Sequence, residues 1–136
     1  MSEGPYRWQS RIRFVDTDAS QRIHYTAIFR HFEAAEHDFL HSIGLPYTSP
    51  EFRDLSFPRV HVECDFTAEV RYDDLLDVEV TIERVGTSSF GLVFGASVGN
   101  KAVAKGRITV VCIDRHTHRP APIPDPLARA LRRYLA

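Results

Sequence analysis

With 136 residues, 43% of them hydrophobic and 26% charged, the chain has globular composition and the length of a single domain, 1–136, able to bury a core. A formal net charge of -1 gives no overall basic field, so neither nucleic acid nor an anionic membrane surface is expected as a partner. No run approaches the ~20 apolar residues of a membrane helix, and the opening MSEGPYRWQS has no apolar signal core, so a cytoplasmic location is expected.

Tyr6, Trp8, Ile12 and Phe14 alternate with Arg7, Gln9, Arg11 and Arg13, which predicts a half-buried strand. A polar loop, Asp16 to Arg22, follows. From about Tyr25 to Ile43 the period changes. Ile28, Phe32, Ala35, Phe39 and Ile43 form one stripe of an amphipathic helix, and Gly44 and Pro46 end it. His37, His41, Glu36 and Asp38 are assigned to its flanking polar face.

Period two then returns. Val60, Val62, Cys64 and Phe66 form one run; Leu76, Val78, Val80 and Ile82 a second; Phe90, Leu92, Phe94, Ala96 and Val98 a third. Gly99-Asn100 signals a two-residue hairpin leading into a last strand, Ala102 to Ile113. Asp125-Pro126 can cap a short terminal helix. Cys64 and Cys112 share the parity of their apolar neighbours and are expected as buried free thiols. The order of strand, long helix and four strands predicts an α+β fold, with the helix covering one face of an antiparallel sheet.

A carboxylate in a loop before a helix ordinarily caps the helix or orders a turn, and Asp16 and Asp18 both admit that reading. Asp18 admits a second one. A helix N-terminus offers unpaired N–H groups and the positive end of the dipole, which suit a developing oxyanion. A carboxylate beside it can attack the same carbonyl or activate water against it.

Phe14-Val15-Asp16-Thr17-Asp18, then Ile23-His24-Tyr25 and Phe32-Glu33, resembles the signature of the 4-hydroxybenzoyl-CoA thioesterase family. Val70 to Leu76, Thr87 to Phe90, Ala104-Lys105-Gly106 and Val110 to Cys112 continue the likeness in order over about residues 6 to 123. The resemblance implies a hot-dog fold, a long central helix wrapped by a five-stranded antiparallel sheet. It implies an acyl-CoA thioesterase, acting on an acyl-CoA or acyl carrier protein thioester; with no credible ligand cluster around the Asp18 loop, neither a metal nor another cofactor is expected. A homodimer or homotetramer follows, with sites between subunits. Carried over, Asp18 becomes the nucleophile or general base, and the Tyr25 N–H at the helix start polarises the carbonyl. Glu33 matches an acidic position lining the acyl pocket. His24 stands where Tyr or Trp is usual, either as a polar group of the site or as a cap. Gln21 replaces a usual glycine, so the loop is expected to take a different path or to hold glutamine at positive φ at some cost.

Two alternatives share the fold: an enoyl-thioester hydratase, and a non-catalytic acyl-thioester-binding module. Arg59, Arg71, Arg84, Lys101, Lys105 and Arg107 are candidates for the coenzyme A phosphates, and Phe29, Phe32, Tyr47 and Phe57 for the acyl pocket. His37 and His41, four apart, read as a solvated face, and His116 with His118 lacks a third ligand nearby, so no metal site is expected. His61 lies on the polar side of its strand.

Overall fold

The computed structural model describes residues 3–136. Five strands form one antiparallel sheet: β1 (Tyr6–Arg11), β3 (Arg59–Phe66), β4 (Leu75–Val85), β5 (Ser89–Val98) and β6 (Lys101–Val111), in the spatial order β1-β4-β5-β6-β3. The long helix α1 (Ala27–Ser42) lies on one face. A small pair, β2 (Leu55–Ser56) with β7 (Ile113–Asp114), and a terminal helix α2 (Asp125–Arg132) complete the chain. This is the expected α+β hot-dog arrangement.

Alternation decides the middle of the sheet. Leu76, Val78, Val80 and Ile82 of β4 and Phe90, Leu92 and Phe94 of β5 are all nearly inaccessible, as are Ile28, Phe32, Ala35 and Phe39 of α1. Phe32 stacks on Phe94 with ring centroids 4.7 Å apart. The β5–β6 turn places Gly99 and Asn100 at φ +54° and +68°, the double positive φ that twisted two-residue hairpins favour. At the end of α1, Gly44 takes φ +77°. Its N–H reaches His41 O, and that of Leu45 reaches Leu40 O, a Schellman closure.

Several expectations needed correction. β1 stops at Arg11, because Ile12 gives its N–H to Asp74 O and the chain turns into a 3-10 segment, Phe14–Asp16. Phe14 is therefore 76% exposed and stacks on Tyr72. α1 begins at Ala27, leaving Tyr25 in the preceding turn. The last long strand breaks at Cys112, whose N–H pairs with Ser88 O. Asp125 sits inside the first turn of α2 and makes no side-chain cap. β3 is an edge strand, so its apolar parity is not core: Val60 and Val62 are exposed and Cys64 is half-buried. Burial still pushes the Cys64 thiol up to about 11.

Glu36 is also not on the polar face. It lies four residues after Phe32 and is 1% exposed. There it accepts hydrogen bonds from Tyr47 OH at 2.6 Å and from the Arg59 guanidinium. Arg59 additionally donates to Phe57 O and lies over the Tyr47 ring. A buried carboxylate without that cation would be strongly destabilising, so Arg59 has a structural task.

Gly106 of β6 faces α1 so closely that a Cβ there would lie 2.4 Å from Phe32 Cε2 and 3.1 Å from Glu63 O. Neither the rigid ring nor the strand backbone can yield cheaply. Gly106→Ala is expected to cost about 1–3 kcal/mol in urea unfolding. Phe32→Leu added to it should recover part of the loss; additive losses would show that this contact does not limit the approach.

Candidate active site

The segment from Phe14 to Thr26 is a hairpin-like loop laid against the β3–β4 connection. Thr17 bridges to Ile23, Arg22 bridges to Arg71, and the Ile23 N–H bonds Val70 O. Within the loop Asp18 N–H bonds Arg22 O, and Gln21 N–H bonds Asp18 O. Gln21 takes φ +67°. The turn thus keeps the conformation a glycine would supply, at a steric cost of order 1 kcal/mol.

Asp18, at the tip, is exposed. Its Oδ1 accepts from the Ser20 hydroxyl at 2.5 Å and the Ser20 N–H at 2.8 Å. Among the described residues Oδ2 has no partner. The Ser20 hydroxyl, then its N–H, then the neighbouring His24 and Arg22 hold the Asp18 carboxyl below its usual value, so it is ionised at neutral pH. The turn-ordering reading and an available carboxylate oxygen coexist, because one oxygen serves each.

Asp16, two residues earlier, is buried instead (4% exposed). Its Oδ2 accepts the Arg13 N–H at 2.8 Å, and its Oδ1 lies 3.0 Å from Arg30 Nη2. Its backbone carbonyl accepts the His24 N–H at 2.7 Å. Burial pushes its pKa up, but the Arg13 N–H, Arg30 and His31 outweigh that and hold it below 3.8.

His24 is half-buried and orders the turn before α1, whose N-cap is Thr26 without a side-chain cap bond: its Nδ1 accepts the Thr26 N–H at 3.2 Å and lies 2.8 Å from Thr26 Oγ1. Its ring stacks on that of Tyr25 at 4.6 Å. The Tyr25 side chain is 70% exposed. Among the described residues its backbone N–H meets no acceptor, so a donor at the helix entrance is left free. Beside Tyr25 opens a cavity of about 390 Å³, with Ile23, Phe66, Ala68 and Val70 as apolar walls and Arg22 and Glu69 at its rim. Asp18 and His24 lie on the same loop as Tyr25 but are not among the walls of this cavity. Glu33 is exposed on α1, outside this cavity.

Of the phosphate candidates, Arg59 is committed to Glu36, Arg71 to Glu69 (which Arg22 also pairs), and Arg84 to Ser89. Arg107 approaches Glu83 at 3.9 Å. Lys101 and Lys105 are exposed, with no side-chain partner among the described residues. Phe32 is core, and Tyr47 and Phe57 pack in the Glu36 cluster, away from the Tyr25 cavity. His61 pairs with Glu63 at 2.8 Å. Sequence reasoning missed His31, which is 7% exposed and contacts Asp16. Its position, three after Ile28 and four before Ala35, was the available signal for burial.

The Asp16 pKa is depressed on folding, so its stabilisation is present above 3.8 and is lost as pH falls through the lower folded value. Asp16→Asn is therefore expected to cost about 1–3 kcal/mol near neutral pH. It should also flatten the loss of stability on acidification below about pH 4, read by urea unfolding across pH. An unchanged acid limb would remove Asp16 as its cause.

The sequence profile of the Thioesterase-like superfamily matches residues 12–131. A 1,4-dihydroxy-2-naphthoyl-CoA hydrolase of Synechococcus sp. (strain CC9605) is 30% identical over 138 residues, covering 96% of this chain and 93% of that protein. Among solved structures, a hypothetical protein from Aquifex aeolicus superposes with a TM-score of 0.87 at 26% identity, covering 93% of this chain and 99% of its own. A gentisyl-coenzyme A thioesterase superposes with a TM-score of 0.82 at 25% identity, covering 92% and 98%. The chain belongs to the thioesterase-like hot-dog superfamily and is a thioester hydrolase.

Proposed function

We propose that the chain hydrolyses an aromatic acyl-CoA thioester to the free acid and coenzyme A, with Asp18 as the attacking group. The observation that carries this is the division of labour on the Asp18 carboxylate. Ser20 holds Oδ1 and leaves Oδ2 without a partner among the described residues, and at the helix entrance that follows the same loop the Tyr25 N–H has no acceptor. The aromatic class rests on the names of the naphthoyl-CoA and gentisyl-CoA relatives, with the Tyr25 and Phe66 walls in keeping.

In this reading the thioester carbonyl oxygen accepts the Tyr25 N–H. Asp18 Oδ2 attacks the carbonyl carbon, the C–S bond breaks, and the coenzyme A thiolate leaves and takes a proton from water. Water then cleaves the mixed anhydride, returning the carboxylate and releasing the acid. The lowered pKa of Asp18 keeps the attacking carboxylate ionised at neutral pH. His24 borders the reacting carbonyl, and Glu33 reaches the acyl group only in the assembled protein.

The assembly is a homodimer joined through β3, or a tetramer of two such dimers. β3 is an edge strand with unpaired backbone on one side and with Val60, Val62 and Phe66 exposed at 62%, 50% and 42%, an arrangement that a monomer leaves open to pairing. The cytoplasm is the proposed location, in keeping with two free thiols.

Asp18→Asn keeps the shape and removes the nucleophile. It should lower kcat roughly 10²–10⁴-fold in a free-thiol release assay over aromatic and aliphatic acyl-CoA and acyl carrier protein thioesters, with KM nearly unchanged. Retained turnover would refute the role of Asp18. Hydration of an enoyl-CoA without thiol release would move the chain to the hydratase reading. A stable, active monomer in sedimentation at micromolar concentration would contradict the assembly.

A further inference from the structure

Beneath the Asp18 loop lies a chain of polar side chains that no part of the mechanism above uses. Ser10 on β1 places its Oγ 2.9 Å from His31 Nδ1. The other ring nitrogen, Nε2, lies 3.1 Å from Asp16 Oδ2, off the axis of an aligned hydrogen bond. His31 and Asp16 are 7% and 4% exposed, so water screens this contact little.

The geometry restricts where the protons sit. At 3.1 Å, even off axis, a carboxylate oxygen attracts a proton on Nε2 and repels a lone pair there, so Nε2 carries the proton. Nδ1 then accepts from the Ser10 hydroxyl. Asp16 is in turn the tie for both flanks of the loop. Its carboxylate accepts the Arg13 N–H before the Asp18 turn, and its carbonyl accepts the His24 N–H after it. Arg30, next to His31 on α1, holds the other carboxylate oxygen and reaches Val15 O. The first turns of α1 thus grip the loop from below through one carboxylate.

We propose that His31 is a positioning residue, acting through Asp16 and set in its tautomer by Ser10, that fixes the Asp18 turn relative to the Tyr25 N–H. This rests on the roles of Asp18 and Tyr25 argued above. A side chain of the same bulk but without the Nε2 proton leaves Asp16 Oδ2 to the Arg13 N–H alone and removes its attraction to His31 of α1. The loop then drifts without unfolding, and a displacement of about 1 Å at a reacting group can cost up to 10²-fold in rate.

The test compares the wild type with His31→Leu, His31→Gln and Ser10→Ala, using imidazole and amide ¹⁵N NMR together with kcat and KM. The wild-type neutral ring should be the Nε2–H tautomer, and Ser10→Ala should give a mixture of tautomers. His31→Leu should shift the amides of residues 17–25 and lower kcat roughly 10- to 10²-fold with KM within about threefold. His31→Gln, whose amide N–H replaces Nε2–H, should stay within about threefold of wild type in both. A merely structural residue would lower the melting temperature in both variants and leave kcat alone. An Nδ1–H tautomer in the wild type, or unchanged kcat and loop amides in His31→Leu, would overturn the proposal, as would a His31→Gln variant as slow as His31→Leu. If His31→Leu does not fold, the tautomer and His31→Gln decide. A wild type that cleaves no thioester would refute the reading of Asp18, while the tautomer and loop amides still decide the tether.

Discussion

The close seat of Phe32 on Gly106 governs where everything else lies. With no Cβ at position 106, α1 drops onto the sheet until Phe32 touches the β6 backbone and stacks on Phe94. That depth places the start of the helix level with the end of β1 and with the β3–β4 connection. Only then can Arg30 and His31 reach Asp16, and Ile23 reach Val70. The site is therefore a consequence of core packing first and of loop chemistry second.

The two aspartates of the loop divide the work by solvation. Asp16 is dry and has three donors or cations around its carboxylate, so it behaves as a fastening and its ionised form stabilises the fold. Asp18 is wet, and one of its oxygens is left over. Two chemically identical groups two residues apart acquire different tasks because one side chain points under the loop and the other out of it. Gln21 belongs to the same economy: its positive φ turns the chain sharply enough for Asp18 N–H to meet Arg22 O. The missing glycine changes the cost of this turn and leaves its shape.

What the sequence made legible follows from periodicity that survives burial on one side. β4, β5, the Gly99-Asn100 turn and the stripe of α1 were readable because each apolar position met the core. β3 misled because an edge strand obeys the same alternation while most of its apolar side stays uncovered: Val60, Val62 and Phe66 are exposed and Cys64 alone packs against the core. Phe14 misled because parity was continued past a backbone turn that has no signature in hydrophobicity. Glu36 and His31 were hidden for a simpler reason: both are polar residues at core spacing. Their residue type argues for solvent and their position for the core: Glu36 stands four after Phe32 and His31 three after Ile28.

Those two polar residues also explain how a helix with so apolar a stripe keeps one register on the sheet. A row of Ile, Phe and Ala can slide by a turn with modest loss, since hydrophobic contact is non-directional. Glu36 and His31 cannot slide. Moving α1 by one turn, about 5.4 Å, would strand Glu36 without Arg59 and Tyr47, and His31 without Ser10 and Asp16. Each would leave a buried polar group unpaired, a loss of several kcal/mol in total. The polar anchors therefore select the position, and the apolar stripe supplies most of the attraction. Because the two anchors lie a turn and a half apart on α1, they fix rotation as well as translation, and the free N–H at Tyr25 inherits its direction from both.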